Sequence, residues 1–176
     1  MISQAEHDPN AASVLITDSD EVANKVREIL PSMVSDTKHS QRVEIALKGQ
    51  QSGIVLVKDK ETALELANAY GAEHLEIHTE NAQADALKIT NAGAIFVGPY
   101  NPVPLGDYMA GSNHVLPTAG TARFTSGLNV HSFIKSVQEI RYSRSALEEV
   151  YEPLSILAYD ENLPAHAQSL KVRLDK

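Results

Sequence analysis

The sequence predicts an α/β fold: an incomplete Rossmann-like parallel sheet covered by helices, plus a small, mainly helical C-terminal domain. Through residues 14–98, short apolar runs of strand length alternate with stretches of helical periodicity. Strands that alternate with helices in this way are typical of βαβ units and a largely parallel sheet. Past residue 128 the helical pattern dominates. We therefore predict a Rossmann-like domain over 1–127 and a helical tail domain over 128–176.

The first strand lies in the apolar run SVLIT. Asp18 or Ser19 then supplies the predicted N-cap of a helix that ends at Pro31, since side-chain oxygens at that position accept backbone N–H groups and proline interrupts a helix. A second helix is predicted in HSQRVEIALKGQ, closed by Gly49.

The clearest unit is SGIVLVKDKETALELANAYG, which predicts a buried strand over 53–57, an N-cap at Asp59 and an amphipathic helix. Gly71 is the predicted residue just past that helix, where a left-handed conformation is common. HLEIHTENAQADALKITNAG repeats the pattern, with Gly93 ending the helix, and AIFVG is the next strand.

The C-terminal region has a different character. NVHSFIKSVQEIRYS predicts a short helix followed by an exposed alternating strand. The remaining chain predicts helices broken by Pro153 and Pro164.

A long segment without periodicity, PLGDYMAGSNHVLPTAGTARF, spans residues 104–124. Loops of this length without secondary structure are uncommon in compact domains and are usually functional or disordered. Disorder is disfavoured because the segment holds several apolar residues that can anchor it to a core. We therefore predict a functional loop.

Composition narrows the class of protein. The chain has 176 residues, 15 Lys plus Arg and 23 Asp plus Glu, and a net charge of −8. Scattered basic residues and an acidic balance disfavour a nucleic-acid binder. There is no apolar run long enough for a membrane span and no secretory leader pattern, so we expect a cytoplasmic protein. The absence of cysteine excludes disulfide scaffolds and thiolate zinc sites.

Pairs of polar residues at short spacing mark a candidate site. A histidine is most often an ordinary surface residue, and we accept that explanation for His39, His78 and His131. Glu73 beside His74 offers the carboxylate and imidazole that general base chemistry requires. The other pairs are Gln4 with His7, Asp107 with His114, and Glu161 with His166. From the residues alone, these pairs predict a polar site able to hold a divalent metal and leave the reaction open.

Together, five segments resemble the histidinol dehydrogenase family: LGDYMAGSNHVLPTAGTARF, ISQAEHDPNAASVLIT, AEHLEI, AGAIFVGPYNP and ENLPAHAQSL. They occur in the family's order and cover essentially the whole chain. The resemblance implies oxidation of L-histidinol to L-histidine through L-histidinal, at the end of histidine biosynthesis, with two NAD⁺. Family members are much longer, and this chain resembles their C-terminal half, so we expect a fragment of a longer chain.

The resemblance also implies that the long loop of the 1–127 domain binds zinc and substrate, and that the 128–176 tail domain takes part in dimerisation. One Zn²⁺ per subunit would be held by Gln4, His7 and Asp107, with His166 coming from the neighbouring subunit of a homodimer. His74 would deprotonate the alcohol and later the hydrate, while Glu73 would activate the water. The implied substrate-binding residues are Glu73, His74, Asp107, Tyr108, His114, Glu161 and His166, of which Glu161 acts from the neighbouring subunit.

The resemblance places most of the NAD site in the family's N-terminal half, and no Gly-rich dinucleotide fingerprint follows a strand here. We therefore expect this chain alone to be inactive. The alternative is a non-catalytic zinc- or imidazole-binding or dimerisation module derived from the enzyme. A stand-alone zinc hydrolase is disfavoured, because the loop and the tail resemble the family together.

Overall fold

Two parallel strand pairs flanked by helices form the first part of the chain in the computed structural model, which describes residues 1–175. The chain divides into two units, one from Met1 to Phe133 and one from Ile134 onward. The predicted α/β class is confirmed. The boundary near residue 127 and a dimerisation role for the tail stay predictions.

The first unit contains ten regular elements in chain order: α1 (Ile2–Ala5), β1 (Val14–Thr17), α2 (Asp20–Ser35), α3 (Ser40–Lys48), β2 (Gly53–Leu56), α4 (Lys60–Tyr70), β3 (His74–Ile77), α5 (Ala82–Ala86), β4 (Ala94–Val97) and α6 (Val103–Tyr108). Two 3₁₀ turns follow at Thr121–Arg123 and Val130–Phe133. The second unit is a helix pair, α7 (Arg144–Asp160) and α8 (Pro164–Leu174). Among residues 1–175, no helix is both long and apolar enough to cross a membrane.

The strands pair in parallel, as predicted. β1 pairs with β2, with Val14 opposite Gly53, and β3 pairs with β4, with His74 opposite Ala94. In the described residues these pairs form two separate two-stranded sheets. The parallel sheet expected from the sequence thus takes the form of two short ladders.

The predicted helix boundaries at three positions are confirmed by their capping geometry. The Ser19 hydroxyl oxygen accepts the Val22 N–H at 3.3 Å, and Asp59 Oδ1 accepts the Thr62 N–H at 2.8 Å. Gly71 lies past α4 with φ 65°, a conformation that glycine adopts without steric cost.

Two helices continue through prolines where the sequence predicted breaks. α2 passes Pro31 and ends at Ser35, and α7 passes Pro153. Proline already has a helical φ, so it removes one helical hydrogen bond without forcing the chain out of the helix. Near the end of α2, serine hydroxyls donate hydrogen bonds to backbone carbonyls, as Ser32 Oγ does to Ile29 O at 2.9 Å. The start of α8 at Pro164 is confirmed.

The third predicted βα helix is much shorter than expected, because α5 ends at Ala86 rather than at Gly93. Asn68 of α4 binds the segment that follows α5. Its Oδ1 accepts the N–H groups of Thr90 and Asn91 at 2.7 and 3.2 Å, which replaces the helical bonds those groups would otherwise make. A side chain from another element thus overrides the local helical pattern.

Two further expectations are corrected near the long segment and after it. The segment 104–124 is not wholly irregular, since it contains most of α6 and a 3₁₀ turn. The short helix predicted next is confirmed as the 3₁₀ turn Val130–Phe133. The alternating strand expected over 134–142 is wrong, because these residues form no regular element and pair with no strand in the described chain.

The main apolar core packs α4 and α5 against one face of β3. Leu64, Ala67 and Ile77 are buried there, and Leu75 contacts the same cluster. Because side chains alternate along a strand, His74 and Glu76 lie on the opposite face of β3. That face carries the candidate site.

A buried carboxylate joins α5 to the end of β3. The Asp85 side chain is 1% exposed, and its Oδ2 accepts the Thr79 hydroxyl at 2.6 Å. Lys60 Nζ lies 3.2 Å and Lys88 Nζ 3.7 Å from Oδ1. The Thr79 hydrogen bond, assisted by the two lysines, lowers the pKa of Asp85 below its usual range, and burial opposes this shift.

These partners of Asp85 predict that the folded chain loses stability at acidic pH. The lowered pKa means that ionised Asp85 stabilises the fold above its unfolded-state pKa of about 3.9, and that this contribution is lost as the pH falls through the folded pKa. Asp85→Asn should therefore lose less stability than the unsubstituted chain between pH 6 and pH 3, as measured by the denaturant midpoint at each pH. Asp36→Asn, which changes an exposed carboxylate at the end of α2, is the control and should track the unsubstituted chain.

Candidate active site

The site forms on the face of β3 and β4 that points away from the main core. His74 begins β3, and Phe96 of β4 lies opposite Glu76 in the parallel register. The ring centroids of His74 and Phe96 are 6.0 Å apart with a tilt of 43°. The buried phenyl ring thus forms an apolar wall beside the imidazole.

α6 covers this face at close range. A Cβ on Gly106 would lie 2.8 Å from the Phe96 ring, so only glycine permits this approach. The next residue, Asp107, is thereby brought to His74. At the beginning of α6, the Val103 N–H donates to Glu76 Oε1 at 3.2 Å.

His74, Asp107 and His114 form the polar centre of the site. Asp107 Oδ1 lies 3.1 Å from His114 Nδ1 and 3.6 Å from His74 Nε2. The side chains of Asp107 and His74 are only 6% and 10% exposed, whereas that of His114 is 67% exposed. Asp107 Oδ1 therefore lies between the buried His74 ring and the exposed His114 ring.

The His74 imidazole makes no hydrogen bond within residues 1–175. Its distance of 3.6 Å from Asp107 is too long for one, and neither ring nitrogen has another partner in that part of the chain. Buried polar atoms are nearly always paired, so two orphaned nitrogens on one ring indicate a group that meets a ligand. Within residues 1–175, Asp107 has no Lys or Arg ion-pair partner either.

Glu73 precedes β3 and is positioned through its backbone. Its carbonyl oxygen accepts the Ala94 N–H at 2.9 Å, and a Cβ on Gly93 would lie 2.5 Å from the same oxygen. The chain at Gly93 therefore lies directly against Glu73. Glu73 itself is half-buried and directly precedes His74 in the chain.

The remainder of the long segment turns back beyond α6. Ser112 Oγ donates to Gly106 O at 3.1 Å, which closes the loop that carries His114. Tyr108, the last residue of α6, is 77% exposed. Further on, Arg123 donates through Nη1 to Ala69 O at 3.4 Å, which fastens the segment to the C-terminal end of α4.

The predicted metal ligands are not gathered around Asp107. Gln4 lies on α1 and His7 just beyond it, next to a separate small core of Ala5, Val43 and Ala46, and no hydrogen bond or ion pair in residues 1–175 links either of them to Asp107. In the same described residues, no three His, Cys, Asp or Glu side chains form a group that could hold a metal ion.

The two predicted tail residues lie in the second unit, and both are exposed. Glu161 lies just past the end of α7, and His166 lies in the first turn of α8. Their roles, like those of all the predicted site residues, stay predictions.

Sequence reasoning missed three residues that shape the site: Glu76, Phe96 and Gly106. The alternation in HLEI could have placed Glu76 on the side of His74, given the strand assignment. No sequence signal indicates that Phe96 meets Gly106, since this contact depends on how α6 folds back over β4.

A family model described as histidinol dehydrogenase matches residues 1–174. The chain belongs to the histidinol dehydrogenase family. It is 57% identical over 175 residues to the histidinol dehydrogenase of Corynebacterium diphtheriae, covering 99% of this chain and 39% of that relative. It is 53% identical over 176 residues to that of Bifidobacterium longum, covering 100% of this chain and 37% of the relative.

A solved structure of this family has the same fold. The crystal structure of histidinol dehydrogenase from Elizabethkingia anophelis matches with a TM-score of 0.80 and 30% identity, over 99% of this chain and 40% of that one. The chain thus spans about two fifths of the length of the relatives that it matches, and it corresponds to the C-terminal portion of the histidinol dehydrogenase chain.

Proposed function

We propose that this chain carries the acid–base and substrate-binding portion of a histidinol dehydrogenase, which oxidises L-histidinol to L-histidine through L-histidinal and reduces two NAD⁺. The observation that supports this most directly is the buried His74 imidazole beside the Asp107 carboxylate, whose ring nitrogens both lack a hydrogen-bond partner among the residues that the structure describes. Family membership supplies the reaction, and the site supplies groups suited to it.

The first oxidation needs a base for the hydroxyl proton. Neutral His74 takes that proton while the carbon-bound hydrogen leaves as hydride to NAD⁺, so the alcohol becomes the aldehyde. The neighbouring Asp107 carboxylate stabilises the imidazolium that forms. Such proton transfer contributes about 10²–10⁴-fold to a rate.

The second oxidation needs water as well as a base. Glu73 removes a proton from water as it adds to the aldehyde, which gives the hydrate. His74 then takes a hydroxyl proton of the hydrate, and a second hydride passes to NAD⁺ to leave the carboxylic acid. Adjacent residues fit these two tasks because one reacting carbon must meet both of them.

The chemistry of the donors fits zinc. Asp107 is a buried carboxylate with imidazole neighbours and without a cationic side-chain partner in the described residues, and imidazole, carboxylate and amide groups all bind zinc. We place one Zn²⁺ per subunit on Gln4, His7, Asp107 and His166 of the partner subunit. When bound, the ion would hold the imidazole and amine of the substrate in place.

The remaining roles complete the proposal. Tyr108 and His114 contact the substrate from the long loop, and Glu161 of the partner subunit binds its amine. The active form is a cytoplasmic homodimer, and most of the NAD site lies in the portion of the relatives that this chain does not cover. The alternative function is a non-catalytic zinc- or imidazole-binding or dimerisation module derived from the enzyme.

A chimera decides between these functions. The part of the Corynebacterium diphtheriae relative that this chain does not cover would be joined to residues 1–176. We expect the chimera to form NADH from L-histidinol and the 176-residue chain alone to form none, because the chain lacks a dinucleotide fingerprint. NADH absorbance measures both.

The uncovered part of the relative, assayed alone, is the control and should be inactive. Turnover by the 176-residue chain would contradict the division of the site. A folded, dimeric chimera that binds imidazole or zinc but forms no NADH would favour the binding module.

A further inference from the structure

We propose that Glu76 is a positioning residue, which holds the start of α6 and thereby sets the approach of Asp107 to His74. The contact itself lies in the structure, and only its consequence for turnover rests on the proposed function. Glu76 is not part of the predicted site. It comes two residues after His74, on the same face of β3.

The start of α6 needs an external partner. Its N-cap is Pro102, whose side chain cannot accept a hydrogen bond, and no side-chain cap is present. Pro104 has no N–H, and the Leu105 N–H is already bonded to Pro102 O at 3.0 Å. The Val103 N–H is left over, and Glu76 Oε1 accepts it at 3.2 Å. A carboxylate at this end also meets the positive end of the helix dipole.

Two contacts hold α6 over the strand pair: Glu76 accepts the N–H of its first residue, and the Phe96 ring contacts Gly106. A helix of six residues has little stability of its own, so these contacts determine where it lies. Asp107, which lies 3.6 Å from His74 without a hydrogen bond, follows Gly106 directly. Because the helix is so short, movement at Val103 changes the position of Asp107.

Glu76 has one other partner, which provides a matched control. Its Oε2 lies 3.0 Å from His78 Nε2, and both side chains are partly exposed. If Glu76 were only half of a surface pair, removing His78 would have the same effect as removing Glu76. If Glu76 acts on α6, the two substitutions should differ.

Hydrogen exchange of the 176-residue chain tests the contact without any assay of turnover. Glu76→Ala should raise the exchange rate of amides in residues 103–109 about tenfold, because the hydrogen bond that fixes the helix start is lost. Glu76→Gln keeps an acceptor oxygen and should stay within about twofold of the unsubstituted chain, as should His78→Ala. Amides of β1 and β2 should not change in any variant.

Several outcomes overturn the proposal. These are an unchanged rate at 103–109 in Glu76→Ala, an equal rise in β1 and β2, an equal rise in His78→Ala, and failure of Glu76→Gln to restore protection. Rapid exchange at 103–109 before any substitution would also overturn it, since α6 would then have no fixed position.

Turnover of the chimera gives the functional consequence. Glu76→Ala should lower kcat/KM about tenfold, and Glu76→Gln should restore most of it, whereas a role limited to overall stability would not follow this order. If the unsubstituted chimera is inactive, the proposed function fails while the exchange result still decides the role of Glu76. If the chimera is active and Glu76→Ala has full kcat/KM, the positioning role is overturned.

Discussion

Replacement of His74 by asparagine in the chimera is expected to lower kcat for histidinol oxidation by about 10²–10⁴-fold. Within residues 1–175, the His74 ring is buried and carries no hydrogen bond on either nitrogen, whereas the other imidazole beside Asp107, that of His114, is largely exposed. Asparagine preserves polarity and approximate size but cannot take up a proton. NADH formation under saturating substrate and NAD⁺ measures the loss.

His78→Asn is the matched control, because His78 lies just after the same strand and its side chain is largely exposed. It should retain activity within about twofold. Retention of more than a tenth of the activity by His74→Asn would show that His74 is not the base. A comparable loss in both variants would point to damage to β3 instead.

Glu73→Gln separates the two oxidation steps. If Glu73 activates only the water, the first oxidation proceeds and the second slows, so the NADH formed per histidinol falls from two towards one. Equal slowing of both steps would place Glu73 in the first oxidation as well.

Much of the first unit follows from local sequence signals. Ser19, Asp59 and Gly71 fix helix ends through their own hydrogen bonds or backbone conformation, so each could be identified without knowing the fold. The parallel direction of the strands also followed, because a helix separates β1 from β2 and β3 from β4.

Two of the errors share one cause, since each depends on a contact with a distant part of the chain. The helical pattern after Ala86 is interrupted because Asn68, some twenty residues away, captures the N–H groups of Thr90 and Asn91. α6 forms in a segment without periodicity because β3 and β4 hold it through Glu76 and Phe96. The local helix and strand propensities of a sequence carry no information about such contacts.

The contacts of the candidate site also include some that are local in sequence and some that depend on the fold. Asp107 and His114 are seven residues apart, and their contact is local enough for the sequence to suggest it. The approach of His74 to Asp107 spans thirty-three positions and requires the return of α6 across β4. Gln4 and His7 meet Asp107 in no described contact, and His166 belongs to the second unit, so the assignment of all three rests on resemblance. His166 leads to a prediction about the dimer.

Two inactive variants of the chimera should restore each other when they share a dimer. Asp107→Ala removes the buried carboxylate from one site, and His166→Ala removes the exposed imidazole of α8. If each site combines Asp107 of one subunit with His166 of its partner, a mixed dimer concentrates both defects in one site and leaves the other whole. Neither homodimer should be appreciably active, and the purified mixed dimer should recover about half the unsubstituted activity.

Two different affinity tags allow the mixed dimer to be purified, and a mixed dimer of two unsubstituted subunits controls for the tags. His131→Ala, paired with Asp107→Ala, is the control for position, because His131 is an exposed histidine with no proposed role. Its mixed dimer should also show about half activity, but the His131→Ala homodimer should be fully active, unlike that of His166→Ala. If the Asp107→Ala and His166→Ala subunits form a dimer without activity, each site requires both residues from one chain. His166 then serves its own subunit, because only that arrangement leaves both sites of the mixed dimer defective.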